Sequence, residues 1–145
     1  MTKEVFITIE GIQFDIDEDA IEVKTSGEYH YRNGKHFIRY TELQNEGEGI
    51  TENTIKIAPN QITITKKGAN NTNMVFDANE NSLTNYNTPF GSMLIGIHTT
   101  ILQVKESEDE IVAKLLYTLD INDSHISDSS ILIKINSKRE NIPKR

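Results

Sequence analysis

The feature that most constrains this chain is an unbroken succession of alternating apolar and polar residues, cut into hairpins by Asn, Gly and Pro. One hairpin can be registered residue by residue. Glu28-Tyr-His-Tyr-Arg32 runs into Asn33-Gly34 and returns as Lys35-His-Phe-Ile-Arg39. Asn-Gly between β-rich runs favours a type I′ turn, because both central residues must take positive φ. A two-residue turn pairs Arg32 with Lys35, Tyr31 with His36, His30 with Phe37, Tyr29 with Ile38 and Glu28 with Arg39. Continued further, the register sets Gly27 opposite Tyr40 and Thr25 opposite Glu42. Tyr29, Tyr31, His36, Ile38, Tyr40 and Glu42 then share one face. Glu28, His30, Arg32, Lys35 and Arg39 share the other, which is expected to meet water.

The same pattern continues to both ends. Val5, Ile7 and Ile9 have one parity and Ile12, Phe14 and Ile16 the other, so a β-bulge is expected near Glu10-Gly11. Further strands are expected at 20–32, 35–43, 53–58, 61–67, 73–77, 82–89, 91–105 and 124–136, with a flexible connection at 45–50 and turns at Pro59-Asn60, 68–71 and 78–81. The strand 91–105 is the most apolar, with aliphatics on both faces near Leu94-Ile95, and is expected either centrally or near a second packing layer. One segment reads two ways. Ser107 to Glu110 fits a capping box ahead of a helix, but Ile111, Ala113, Leu115, Tyr117, Leu119 and Ile121 alternate without a break, and strand is the reading adopted. A long antiparallel chain must close or stack to hide its edges. The expectation is an all-β antiparallel barrel of eight to ten strands, one domain over residues 1–137 with a basic tail at 138–145.

Composition narrows the chemistry. The 145 residues suit one domain, and the absence of cysteine removes disulfides, thiolate metal sites and a cysteine nucleophile. Net charge is −7, with the acid concentrated before residue 53, which argues against nucleic acid as a partner. The first residues do not read as a signal peptide, and no apolar run approaches the ~20 residues of a membrane span. A cytoplasmic protein is expected, with oligomeric state left open. Asp15, Asp17 and Asp19 suggest a calcium loop, but Ala20 and Ser26 stand where its Gly and Glu belong. The histidines at 30, 36, 98 and 125 lack the spacing of a helical zinc site, and no nucleotide or serine-hydrolase motif is present. No metal or cofactor is expected. His98 reads as a hydrogen-bonded strand histidine.

The inward carboxylate of Glu42 is the most chemically suggestive residue. Taken off water, it needs a donor, and Tyr40 or a tyrosine across the strand could supply one. Tyr86-Asn-Thr-Pro-Phe-Gly91, then Leu94-Ile-Gly-Ile-His-Thr99, together with Gly34-Lys-His-Phe-Ile-Arg-Tyr-Thr-Glu42 and Leu115-Leu-Tyr-Thr-Leu119, resembles the YwiB-like family of small bacterial proteins of unknown function, from about Val5 to Ile135. The resemblance implies a calycin or lipocalin-like barrel and carries over Tyr40, Glu42, Thr88, Gly91, Thr99 and Tyr117 as family-pattern residues. It implies no activity. Where the pattern often has Arg, this chain has Lys66-Lys67-Gly68, so a role needing a guanidinium fork does not transfer. The expected function is binding of a small apolar or lipid-like ligand by Tyr29, Tyr31, Tyr40, Glu42, Thr99 and Tyr117. The alternatives are an enzyme using Glu42 with a nearby His or Lys as acid and base, and a filled-core protein-interaction domain.

Overall fold

The computed structural model describes residues 1–13, 17–43, 49–68, 71–88 and 91–138. Phe14, Ile16, Asp15, most of the 45–50 connection, the middle of the 68–71 turn, Pro89, Phe90 and the tail from 139 lie outside these residues. Ten strands follow one another: β1 Glu4–Gln13, β2 Asp17–Arg32, β3 Lys35–Leu43, β4 Ile50–Ala58, β5 Gln61–Lys67, β6 Thr72–Asp77, β7 Ser82–Thr88, β8 Gly91–Glu106, β9 Glu110–Ile121 and β10 Ser124–Ser137. The ambiguous segment is strand β9, as the six-fold alternation requires. Among the described residues no helix is long and apolar enough to cross a membrane.

Every strand pairs antiparallel with its chain neighbour, except across the β6–β7 gap, and β1 pairs with β10. The sheet therefore curls into a ring whose two edges, β6 and β7, meet at a seam. The seam is closed by side chains. Ser82 Oγ donates to the Val75 carbonyl at 2.6 Å, and Thr84 Oγ1 donates to the Asn73 carbonyl at 2.9 Å. These hydroxyls satisfy edge carbonyls that a backbone ladder would otherwise claim. The molecule is thus a nearly closed antiparallel β-barrel. The apolar strand β8 is not central. It lies next to the edge strand β7.

Two turns carry the expected stereochemistry. Asn33 and Gly34 have φ of 54° and 76°, and the pairs from Glu28–Arg39 to Arg32–Lys35 form as registered. Asn122 and Asp123, with φ of 50° and 69°, make a second left-handed turn between β9 and β10. Asn122 is tied to β8 through Leu94 in both directions, its N–H donating to the Leu94 carbonyl at 2.8 Å and its Oδ1 accepting from the Leu94 N–H at 3.0 Å. The bulge expected in β1 appears as a register shift between Gly11 and Gln13.

The β2–β3 ladder, in contrast, stops at Glu28–Arg39. Gly27 does not face Tyr40, nor Thr25 Glu42. They pair with Val5 and Ile7 of β1 instead. A Cβ on Gly27 would collide with the Arg39 carbonyl and come within 2.7 Å of Ile7 Cδ1. Only glycine lets β2 lie this close while it follows β1 and β3 follows β4.

The interior is one packed cluster. Val5, Ile7, Ile38, Ile55, Ile57, Ile62, Phe76, Ile97, Ile111, Leu115, Ile133 and Ile135 are almost completely buried. The Phe76 and Tyr117 rings meet edge-on across the middle, 4.9 Å between centroids.

Candidate functional site

The meander places hairpin connections at two ends, and the interior differs between them. At the end where β2 meets β3, β4 meets β5 and β8 meets β9, His36 is buried. Its Nδ1 lies 2.7 Å from Tyr29 Oη and its Nε2 lies 2.9 Å from a Glu106 carboxylate oxygen. His36 is on β3 and Glu106 on β8, five strands apart in either direction round the ring. A side-chain bridge therefore joins opposite walls of the barrel at this end.

The other end has a polar interior. Tyr40, Thr51, Asn53, Thr99, Tyr117, Ser127 and Ser129 are buried there, and Glu42 is half-buried. The strand register explains the grouping. Tyr40, Asn53 and Lys66 form one row across β3, β4 and β5. Thr99, Tyr117 and Ser129 form another across β8, β9 and β10. Alternation sends these side chains inward, and on β8 and β9 the aliphatic Ile95, Ile97 and Leu119 lie still nearer this end.

Glu42 organises the first row. One carboxylate oxygen accepts from Asn53 Nδ2 at 3.1 Å and lies 3.7 Å from Lys66 Nζ. The donor is thus Asn53, not Tyr40. The Glu42 charge is nevertheless felt by Tyr40, whose phenol is pushed up to about 12, first by burial and second by that carboxylate. Burial also raises the Tyr117 phenol, partly offset by a hydrogen bond with Ser129. Two buried polar atoms have no hydrogen-bond partner among the described residues: Asn53 Oδ1 and Thr99 Oγ1. A buried polar atom left without a partner costs about 1–3 kcal/mol.

Beside this row lies a cleft of about 290 Å³ where β2 and β3 part company. Gly27, Glu28, Arg39, Tyr40, Glu52 and Asn53 are among the residues that line it. It combines charged side chains of the outer face with Tyr40 and Asn53 of the inner one.

The six residues expected to bind ligand are therefore divided. Tyr40, Glu42, Thr99 and Tyr117 lie toward the polar end. Tyr29 and Tyr31 lie at the bridged end, where Tyr31 is 62% exposed and packs on His36 with 5.1 Å between centroids. Tyr31 has the inward parity of Tyr29 but sits beyond the rim, so it does not enter the interior. Sequence reasoning missed Asn53, Lys66, Ser127 and Ser129 at the polar end and the Glu106 partner of His36 at the other. Of the family-pattern residues at the β7–β8 turn, Thr88 and Gly91 form the last pair of the two strands. His98 is exposed on β8 and its Nδ1 is hydrogen-bonded to Asn81 Oδ1, as a strand histidine was expected to be. Among the described residues no group of three or more His, Cys, Asp or Glu side chains is placed to hold a metal ion.

These features define a small ten-stranded antiparallel barrel with a packed middle, one bridged end and one polar end. Residues 7–133 match the family described as a domain of unknown function (DUF1934), and the chain belongs to that family. It is 22% identical over 122 residues to the uncharacterized beta-barrel protein YwiB of Bacillus subtilis (strain 168), covering 83% of this chain and 84% of the relative. The crystal structure of the ywiB protein from Bacillus subtilis superposes with a TM-score of 0.79 at 18% identity, covering 94% of this chain and 93% of that one. At that identity the likeness shows the fold.

Proposed function

We propose that the protein is a cytoplasmic, calycin-like binding module that holds a small molecule at the polar end of its barrel. The observation that carries this reading is the Asn53 amide. Its Nδ2 is committed to Glu42, while its Oδ1 is buried and unpartnered among the described residues, beside a cleft that opens the wall between β2 and β3. A ligand supplying a hydrogen-bond donor there would remove the penalty of the bare acceptor. Glu42 and Lys66 together offer a carboxylate and an ammonium, so the fitting ligand is polar, with both donor and acceptor groups. The packed aliphatic middle supports such a ligand over the small apolar one that the sequence suggested. Thr99 and Tyr117 then serve as a second polar row deeper in the barrel. An acid–base role for Glu42 would draw on Lys66, since His36 is engaged at the opposite end.

Native mass spectrometry of the freshly purified protein tests the reading. A small-molecule adduct is expected on the wild-type protein, lost from a Glu42→Gln, Lys66→Met double variant of unchanged secondary structure. An adduct retained by that variant would place the ligand elsewhere, and no adduct on either would sink the proposal.

A further inference from the structure

At the bridged end lies a second cleft, about 420 Å³ in volume, lined by Tyr29, Tyr31, His36, Glu106, Glu108 and Ile111 among others. No lysine or arginine lines it among the described residues. Its hydrogen-bonding polarity follows from the His36 bridge. A carboxylate can only accept, so the proton between His36 and Glu106 sits on Nε2. The other ring nitrogen, Nδ1, shares a hydrogen bond of 2.7 Å with Tyr29 Oη. Glu106 keeps a second carboxylate oxygen, and Glu108 is exposed. The cleft is thus lined by two carboxylates and two tyrosine side chains, with Met1 and Ser107 beside them. The Tyr31 ring touches His36 on one side and is otherwise open.

We propose that this cleft binds an organic cation carrying N–H donors, a protonated primary amine or a guanidinium group. A cation over a tyrosine face within about 6 Å of its centroid is attracted by the ring quadrupole. A carboxylate already oriented by His36 loses little freedom on pairing with it. The N–H groups are needed because the Glu106 carboxylate is a pure acceptor. A quaternary ammonium satisfies the rings but not these oxygens. The Tyr29 phenol is raised first by burial and then by Glu106 and Tyr31. This site is independent of the polar end and stands or falls separately from it.

The test is a titration with n-butylammonium chloride followed by the ring resonances of His36, Tyr29 and Tyr31, with sodium chloride, n-butanol and tetramethylammonium chloride as comparisons. Saturable shifts are expected with n-butylammonium, at least ten-fold weaker with tetramethylammonium and absent with sodium chloride and n-butanol. Glu106→Gln and Tyr31→Ala each change an exposed side chain and keep the fold. Each is expected to weaken n-butylammonium binding at least ten-fold, and Glu42→Gln to leave it unchanged. Equal responses to n-butanol or sodium chloride, tetramethylammonium binding as tight as n-butylammonium, or binding indifferent to both Glu106→Gln and Tyr31→Ala, would overturn the proposal.

Discussion

The Asn53 side-chain amide donates to the Glu42 carboxylate at 3.1 Å, holding an acid and an amide together on adjacent strands at the polar end of the barrel. Glu42 is about one-third exposed and its contact with Lys66 is long, so the ion pair is worth little, about 0–1 kcal/mol. Glu42→Gln keeps an oxygen for Asn53 Nδ2. It is expected to change the unfolding free energy by about 1 kcal/mol or less while abolishing the small-molecule adduct. Urea denaturation measures the first quantity; a loss of several kcal/mol would make Glu42 a structural residue.

Tyr40 makes the fold sensitive to alkali. Its folded phenol titrates near 12 against about 10 in the unfolded chain. Below pH 10 both states are protonated and the contribution is complete. Between 10 and about 12 the unfolded state releases its proton and the folded state does not, so stability falls as pH rises. The loss is about 2–3 kcal/mol for Tyr40, and the raised phenols of Tyr29 and Tyr117 act in the same direction. Urea denaturation between pH 9 and 12 is expected to show this decline, with a shallower slope in Tyr40→Phe. Identical slopes would contradict the assignment.

Gly27 marks the parting of β2 and β3. Alanine there would strike the Arg39 carbonyl and Ile7. Gly27→Ala is expected to cost about 1–3 kcal/mol, whereas Gly11→Ala, whose nearest neighbour would be 3.8 Å away, is expected to be far milder. Comparable melting temperatures for the two variants would contradict this packing.

The seam should be the first part of the barrel to open. Ser82→Ala with Thr84→Val removes two hydroxyl bonds to edge carbonyls, about 1–3 kcal/mol together. Amide exchange is expected to quicken in β6 and β7 before β1 and β10, which pair from Val5–Ser137 to Gln13–Ser129. Uniform acceleration throughout the barrel would argue for a fully closed ring.

Much of this was legible in the chain. Alternation located the strands, and Asn33-Gly34 set the register that the structure has. Parity placed Tyr40 and Glu42 inward correctly. What parity cannot give is depth. His36 and Glu42 share a face, but the six residue steps from one to the other span about 20 Å of strand, which separates the two ends of the barrel and divides the expected site. The parting at Gly27 was hidden because it depends on β1 and β4 pulling the two strands apart. Asn53 was passed over as a strand opening, since asparagine is poor in strands and reads as turn. The His36–Glu106 bridge joins residues 70 apart in sequence on opposite walls. No local pattern records a contact of that kind.

The central claim rests on the unpartnered Asn53 oxygen, and Asn53→Leu tests it most directly. Leucine has the same branched skeleton in a larger side chain and no polar atom to leave unsatisfied, and Glu42 is exposed enough for water to replace the lost amide. Unfolding free energy and native mass are measured on the same preparation. The account predicts a variant as stable as the wild-type protein or more so, with the small-molecule adduct gone. A variant destabilised by several kcal/mol, or one that keeps the adduct, would show that Asn53 serves the fold and not a ligand.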